Sequence, residues 1–385
     1  MPTSKSKNLL YNLLLPFCFP HPPHNPFIGF EGHDVNRKQS LARIIRKNHL
    51  SGGAIAFKAG TDCSMVFTTA FHCSRMPGTQ IYYRVASITK MATALLSVIL
   101  MDRGIIDPDR PVTEMITDGK DIKELEGILI GHLLSHTSGL MDPPGLENML
   151  LAHIPLRDAV AGSRKRCKQN SFCYSNLGYG IIGCIFESLL GESVVKVFRD
   201  HLFLPLGLDA TISGSTLAWN EIMPVRRIRL IQRGECITVT PLGRIPVTDP
   251  EPDYHYGYTA GSMYITLPSL IRLTECIRDG GKPLVSGQFS GYMKQETTRY
   301  GAIAPSLTYG HGLLRIRDRR ITDNLVIGHQ GFAYGCVDGA FWEESTGNLM
   351  ISMNGECSEA RTGRIGTVNM DLCKFAFREE IPTWK

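Results

Sequence analysis

From Ser87 to Leu100 the chain reads Ser-Ile-Thr-Lys-Met-Ala-Thr-Ala-Leu-Leu-Ser-Val-Ile-Leu, a run without glycine or proline that is apolar almost all round. A helix with apolar residues on every side has to be wrapped by other elements. Met101-Asp102-Arg103-Gly104 supplies its glycine stop. Residues three apart share a helical face, so the Ser87 hydroxyl and the Lys90 amine can meet at the N-terminal turn, where free backbone N–H groups point outward. A weak nucleophile, an activating amine and oxyanion donors then coincide. Taken alone, Ser-x-x-Lys also reads as a serine cap followed by a solvated lysine. The apolar helix behind it leaves a lysine little water, and two motifs downstream add to the catalytic reading.

A chain of 385 residues is long enough for a large core and two lobes, because single cores stop growing near ~250–300 residues. With 43% apolar and 20% charged residues it reads as folded rather than disordered. The net charge of +5, from 41 basic and 36 acidic residues, is too small to imply a nucleic acid or other polyanion partner. The basic clusters at Arg164-Lys165-Arg166 and around Arg315–Arg320 read as solvated loops or strand edges. Eleven scattered cysteines without a Cys-x-x-Cys pair favour free thiols in a reducing compartment over a disulfide framework or zinc site. Lys5 and Lys7 ahead of Leu9–Phe17 loosely mimic a secretory signal, but only Pro20-His21-Pro22-Pro23-His24 follows, with no small-residue cleavage site. A cytoplasmic protein with an irregular leader is the preferred reading, and export or membrane association through this apolar stretch is the alternative. No stretch reaches the ~20 apolar residues of a membrane helix.

Residues 1–30 read as a Pro-rich extension. An amphipathic helix spans Val35 to Asn48 and ends at Gly52-Gly53, and Ala54–Ala59 and Cys63–Thr68 around Gly60-Thr61-Asp62 form a hairpin. Beyond the Ser87 helix, further helices are expected at 122–134, 146–161 (interrupted at Pro155), 178–190, 268–278 and 368–377, with a break between elements at 202–208. Ser138 and His136 read as turn and cap residues, not a Ser/His pair, and Asp142–Gly145 reads as a loop. Residues 224–259 match no pattern. Near the end, 311–316, 336–342 and 349–353 alternate as adjacent antiparallel strands with a turn at Ser345–Asn348. The fold class is therefore α+β, with an antiparallel sheet built from both chain ends.

Phe172-Cys173-Tyr174-Ser175-Asn176 precedes a helix, and in an extended segment Tyr174 and Asn176 point the same way. A phenol beside an ammonium has its pKa lowered and can act as a general base, and an Asn amide offers both donor and acceptor to an amide substrate. The plainer reading is a packing aromatic and an N-cap Asn. Gly328-His329-Gln330-Gly331-Phe332 precedes a strand, where glycines let a ligand approach the backbone. His329 is then a candidate for a substrate carboxylate or for the base, and the Phe332 N–H for an oxyanion hole shared with that of Ser87. A turn histidine is the alternative.

In this order and spacing the motifs resemble the serine β-lactamase and penicillin-binding-protein superfamily, in its branch of class C β-lactamases, D-Ala-D-Ala carboxypeptidases, D-aminopeptidases and β-lactamase-like esterases. The resemblance runs from about Leu50 to Asn354. It takes in Arg84–Lys90 as Ser-x-x-Lys, the Leu133–Leu140 turn, Tyr174–Asn176 as Tyr-x-Asn, Phe203–Thr211, and His329–Gly331 where the family carries Lys-Thr-Gly or His-x-Gly. It implies a β-lactamase/transpeptidase-like sheet lobe (31–86 and 255–385) flanked by helices, an inserted all-helical lobe (87–254) and a cleft between them. It implies an acyl-enzyme hydrolase without metal or cofactor: Ser87 as nucleophile, Lys90 and Tyr174 as the proton-transfer pair, and Asn176, His329, Gly331 and Phe332 around the substrate. His-x-Gly in place of Lys-Thr-Gly looks more like the peptidases and esterases than like class C β-lactamases. The reading is a serine hydrolase cleaving a β-lactam, D-amino-acid peptide or small ester. The alternative is a penicillin-recognising sensor that acylates without efficient turnover, and the oligomeric state is left open.

Overall fold

Alternating apolar residues at both ends of the chain meet in one sheet. The structure is a computed structural model describing residues 27–28, 35–68, 77–117, 119–143, 155–163, 170–223, 225, 256–300, 304–333 and 335–378. From the N-terminal side come strand β1 (Phe27–Ile28), helix α1 (Val35–Lys47) and the hairpin β2 (Ala54–Ala59) and β3 (Asp62–Thr68). Ala59 faces Asp62 across the turn, where Gly60 takes the left-handed conformation (φ +57°) that suits glycine. From the C-terminal side come β7 (Thr298–Arg299), β8 (Leu307–Tyr309), β9 (Leu314–Ile316), β10 (Val326–Ala333), β11 (Cys336–Glu343) and β12 (Leu349–Met353). The nine strands run β1-β3-β2-β12-β11-β10-β9-β8-β7, every pair antiparallel.

Both faces of this sheet are covered, and the period of two sorts the side chains between them. Ile55, Phe57, Phe341 and Met350 join a core with Leu41 and Ile45 of α1 and Val368, Leu372 and Phe375 of α7 (Thr367–Phe377). Ala54, Ala56, Ala340, Trp342, Leu349 and Ile351 point the other way, into a larger core shared with the helices between the two strand sets. At the centre of that core lies α2 (Thr89–Asp102), with every residue from Thr89 to Met101 buried. The run from Ser87 is not one helix. Ala86–Ile88 form a 3₁₀ turn, and the α-helix begins only at Thr89.

Around α2 stand α3 (Ile130–Leu134), α4 (Asn176–Leu190), α5 (Tyr258–Gly261) and α6 (Leu267–Arg278). The helix expected over 122–134 is split into a 3₁₀ turn at Lys123–Leu125 and α3, because Gly127 turns left-handed (φ +69°). Pro155 caps a short helix at Leu156–Val160, and the rest of the helix expected over 146–161 lies outside the described residues. The break expected at 202–208 is instead helical: Val194–Phe198, a π stretch Arg199–Phe203 and Leu204–Leu206 run on to Gly207. Pro205 sits in this run just after the π stretch, within Leu204–Leu206. The helical region also carries a small antiparallel sheet of β4 (Tyr83–Arg84), β6 (Tyr264–Ile265) and β5 (Ala210–Thr211), strands too short to show a period. Most of 224–259 and all of 1–26 lie outside the described residues. Among the described residues no helix is long and apolar enough to cross a membrane.

Candidate active site

Ser87 sits in the 3₁₀ turn between β4 and α2, partly exposed. The turn is forced: Ala86 lies at φ +44°, a conformation that costs an alanine energy and needs support from its surroundings. Thr89 supplies some of that support, its hydroxyl donating to Ala86 O at 2.6 Å and accepting from the Met263 N–H at 3.0 Å. On the other side lies β10. A Cβ placed on Gly331 would come within 2.3 Å of Val85 O and 3.3 Å of Ala86 Cβ, so glycine is what lets the strand lie against the turn.

Lys90, the second residue of α2, is 0% exposed. Its Nζ lies 3.2 Å from Ser87 Oγ, 2.8 Å from Asn176 Oδ1 and 2.6 Å from Ala260 O. Those three acceptors satisfy an ammonium. A neutral amine would donate to the two shorter partners, both carbonyl oxygens that can only accept, and turn its lone pair to the Ser87 hydroxyl. Burial pushes the Lys90 pKa down to about 7, with Asp142 holding it up and Arg84 pressing it further down. Both protonation states are therefore populated near neutrality.

Asn176 is oriented by a residue the sequence reading left in a loop. Asp142 Oδ2 accepts from Asn176 Nδ2 at 2.8 Å, while Oδ1 accepts from the Ser175 hydroxyl and the Leu177 N–H, both at 3.0 Å. With its NH₂ turned to Asp142, the Asn176 amide oxygen faces Lys90. The N-cap of α4 is Ser175, whose Oγ accepts from the Gly178 N–H at 3.0 Å, so Asn176 is not the cap.

Tyr174 lies over this group, its ring centroid 5.0 Å from Lys90 Nζ. Its phenol departs from the expected behaviour. Burial raises its pKa well above the ordinary value, and a hydrogen bond with Ser87 pulls it only part of the way back. Desolvation of a phenolate outweighs a nearby amine that is itself half neutral, so Tyr174 is a phenol at neutral pH. His136 backs the ring at 4.2 Å and accepts from the Ser175 N–H at 3.1 Å. It lies at φ +57° in a turn whose carbonyls at 136 and 137 accept from Cys173 and Asn170. The Ser-His-Thr-Ser-Gly turn thus splints the loop that carries Tyr174.

His329 is 4% exposed, and both ring nitrogens are engaged: Nδ1 donates to Gln330 O at 2.7 Å and Nε2 accepts from the Tyr309 hydroxyl at 2.9 Å. Burial and the Lys90 charge push its pKa down to about 3. This corrects the expectation that His329 receives a substrate carboxylate, because a neutral imidazole with both nitrogens engaged offers neither charge nor donor. A cation on this side is Arg361, which the sequence does not single out. It stands on the hairpin Arg361–Thr362 and Ile365–Gly366, its guanidinium 3.9 Å from the Phe332 ring centroid, and its charge reaches the Tyr174 phenol.

A family model described as Beta-lactamase matches residues 77–341, a span that holds Ser87, Lys90, Asp142, Tyr174, Asn176 and His329. The chain belongs to the beta-lactamase family. This family member is similar to penicillin-binding protein 4 of Amycolatopsis lactamdurans, 28% identical over 273 residues covering 65% of this chain and 66% of that protein. Among solved structures, EstCE1, a hydrolase with promiscuous acyltransferase activity, superposes with a TM-score of 0.69 at 16% identity, over 89% of this chain and 100% of the other. The D-amino acid amidase of Ochrobactrum anthropi SV3, complexed with D-phenylalanine, gives a TM-score of 0.67 at 20% identity, over 89% and 98%. Those structures share the fold. The matches span between 33% and 66% of the length of the curated relatives.

Proposed function

We propose that the chain is a serine hydrolase that cleaves a small amide or ester through an acyl-enzyme on Ser87. The observation that carries this reading is Lys90: fully buried, 3.2 Å from Ser87 Oγ, with its pKa down at about 7. An amine with that pKa is a base matched to neutral pH. Neutral Lys90 takes the Ser87 proton as Oγ bonds to the carbonyl carbon, and the resulting ammonium keeps the Asn176 and Ala260 oxygens as partners. Charge on the carbonyl oxygen falls to the N–H groups of Ser87 and Phe332. Collapse breaks the bond to the amine or alkoxide, which takes a proton from the Tyr174 phenol as the Lys90 ammonium returns one to it. Water then attacks the acyl carbon while neutral Lys90 takes its proton, and the bond to Ser87 breaks as Oγ receives that proton back.

Tyr174 is assigned here as a proton donor and relay, not as a phenolate base. Arg361 takes the place of His329 as the group facing a substrate carboxylate, with Asn176 and the backbone of Gly331 along the acyl chain. Support for an amide or ester comes from the amidase and hydrolase with which the fold is shared. A fluorophosphonate probe followed by peptide mass spectrometry tests the reading. The expected adduct is on Ser87 and is absent from Ser87→Ala, which loses only a partly exposed hydroxyl and keeps its thermal stability. Labelling elsewhere, or turnover by the alanine variant, removes Ser87 as nucleophile. A panel of D-amino-acid amides, short esters and a chromogenic cephalosporin then distinguishes turnover from a stable adduct, the mark of a sensor.

A further inference from the structure

A cavity of about 460 Å³ opens beside α3, and its lining includes Asp109, Gly131, His132, Thr137, Tyr292 and His311. None of these takes part in the chemistry at Ser87. His311 is 7% exposed, and its ring stacks on Tyr292 at 4.0 Å and 9°. Its Nδ1 lies 3.0 Å from Tyr292 O, a carbonyl that can only accept, so the hydrogen is on Nδ1. Burial pushes the His311 pKa down. The neutral ring therefore presents a lone pair at Nε2, which has no hydrogen-bond partner among the described residues. A Cβ on Gly131 would sit 3.6 Å from that nitrogen and 3.0 Å from the Tyr292 hydroxyl, so the glycine keeps α3 clear of both atoms.

His132 shows the opposite tautomer. Its Nδ1 accepts from the Leu129 N–H at 3.1 Å, which places the hydrogen on Nε2. That rules out a metal held by paired histidines, since only one imidazole lone pair is offered, and no three His, Cys, Asp or Glu side chains come together as a metal set among the described residues. Burial raises the pKa of the Tyr292 phenol, and the nearby Asp109 charge adds to it. The cavity thus carries one carboxylate, one imidazole acceptor and one phenolic oxygen, beside the Asn170 amide and the hydroxyls of Ser135, Thr137 and Thr297, which are engaged with Gly131 O, with each other and with Tyr309 O. No side chain among those lining it is cationic at neutral pH, because burial also lowers the pKa of His132. A lining with a carboxylate and an imidazole lone pair but no cation selects a ligand that brings both positive charge and several N–H donors.

We propose that this cavity is a binding site for a small primary ammonium group, held by the Asp109 carboxylate, the Tyr292 hydroxyl and His311 Nε2. A ligand there lies against Thr137, one residue from the His136 ring that backs Tyr174.

The test is titration calorimetry of the full chain at about pH 8 with ethylammonium, ethanol and acetate, repeated on Asp109→Asn, His311→Phe and Ser87→Ala. His311→Phe keeps the stack on Tyr292 and removes the acceptor. Ethylammonium is expected to bind saturably, ethanol and acetate not. Each of the first two variants should weaken binding by at least ~10-fold, the scale of a lost charge-assisted hydrogen bond. Ser87→Ala should bind as the natural chain does, so the outcome is independent of the catalytic proposal. If His311→Phe does not fold, the exposed Asp109→Asn carries the test alone. Binding of ethanol or acetate as strong as that of ethylammonium overturns the proposal, as does binding indifferent to Asp109→Asn.

Discussion

Between Lys90 and Tyr174, burial favours the amine as the base of the proposed reaction. Both are shut away from water, and desolvation acts in opposite directions on an amine and a phenol: it makes the amine easier to deprotonate and the phenol harder. Because the folded pKa of Lys90 is lowered, the reactive neutral amine grows in as pH rises through about 7. Single-turnover acylation by a fluorophosphonate, followed from about pH 5 to 9, should rise with one ionisation near 7 and then level off, with no falling limb from Tyr174. A rate still climbing steeply at pH 9 would show an ordinary lysine. Asp142 makes a second prediction. Its carboxylate holds the Lys90 pKa up, so Asp142→Asn should move the midpoint to lower pH, and it should slow acylation by loosening Asn176. A midpoint moving upward would contradict the assignment. Tyr174→Phe keeps the ring against His136 and removes the hydroxyl; an acylation rate lower by at least ~10² with unchanged melting is the expected result. A fully active Tyr174→Phe would leave Lys90 to act alone.

The elements that bring these groups together were legible to different degrees. The spacing of Ser87 and Lys90 is local, so their contact could be read from three letters of sequence. Asp142 could not be found that way, because the residues it holds lie 33 to 35 positions downstream and nothing in Met141-Asp142-Pro143 marks it as more than a loop. The sign of the Tyr174 shift was likewise hidden, since it depends on burial that only the packed turn at His136 creates. The motif at 329–331 showed where β10 enters the site but not which atoms it offers. Its histidine is absorbed by Tyr309 and Gln330 O, and Gly331 is the residue that lets β10 lie against the Ser87 turn. Gly331→Ala should therefore cost more than an ordinary glycine change. A Cβ 2.3 Å from the Val85 carbonyl has to push the strand or the Ser87 turn aside, and displacing reactive groups by ~1 Å costs about 10² in rate. Acylation should fall by that order and melting should drop as well. A variant of normal activity would mean that β10 does not set the geometry of the turn.

At the scale of the whole molecule, the pattern that mattered was the alternation at the two chain ends, and it gave the sheet its composition if not its full order. Short strands such as β4, β5 and β6 escaped notice because two residues carry no period. The sheet joins two cores, one under α1 and α7 and one around α2, and no central strand belongs to only one of them. Cooperative unfolding of both follows, and the cysteines report it. Cys184 and Cys276 are buried in the α2 core, Cys357 and Cys373 in the other, and Cys336 in β11 between them. Burial also raises the pKa of all five thiols, which suppresses the reactive thiolate. Cys63 is exposed. Brief alkylation at increasing urea, with each cysteine read by peptide mass spectrometry, should label Cys63 in the native protein and the other five only across the unfolding transition, with one shared midpoint. Ile55→Ala, at a fully buried position in β2, should lower that midpoint for all five together by an amount equivalent to about 2–5 kcal/mol. If Cys184 and Cys276 opened at lower urea than Cys357 and Cys373, the helical side would be a separately folding unit, and the sheet would not couple the two cores.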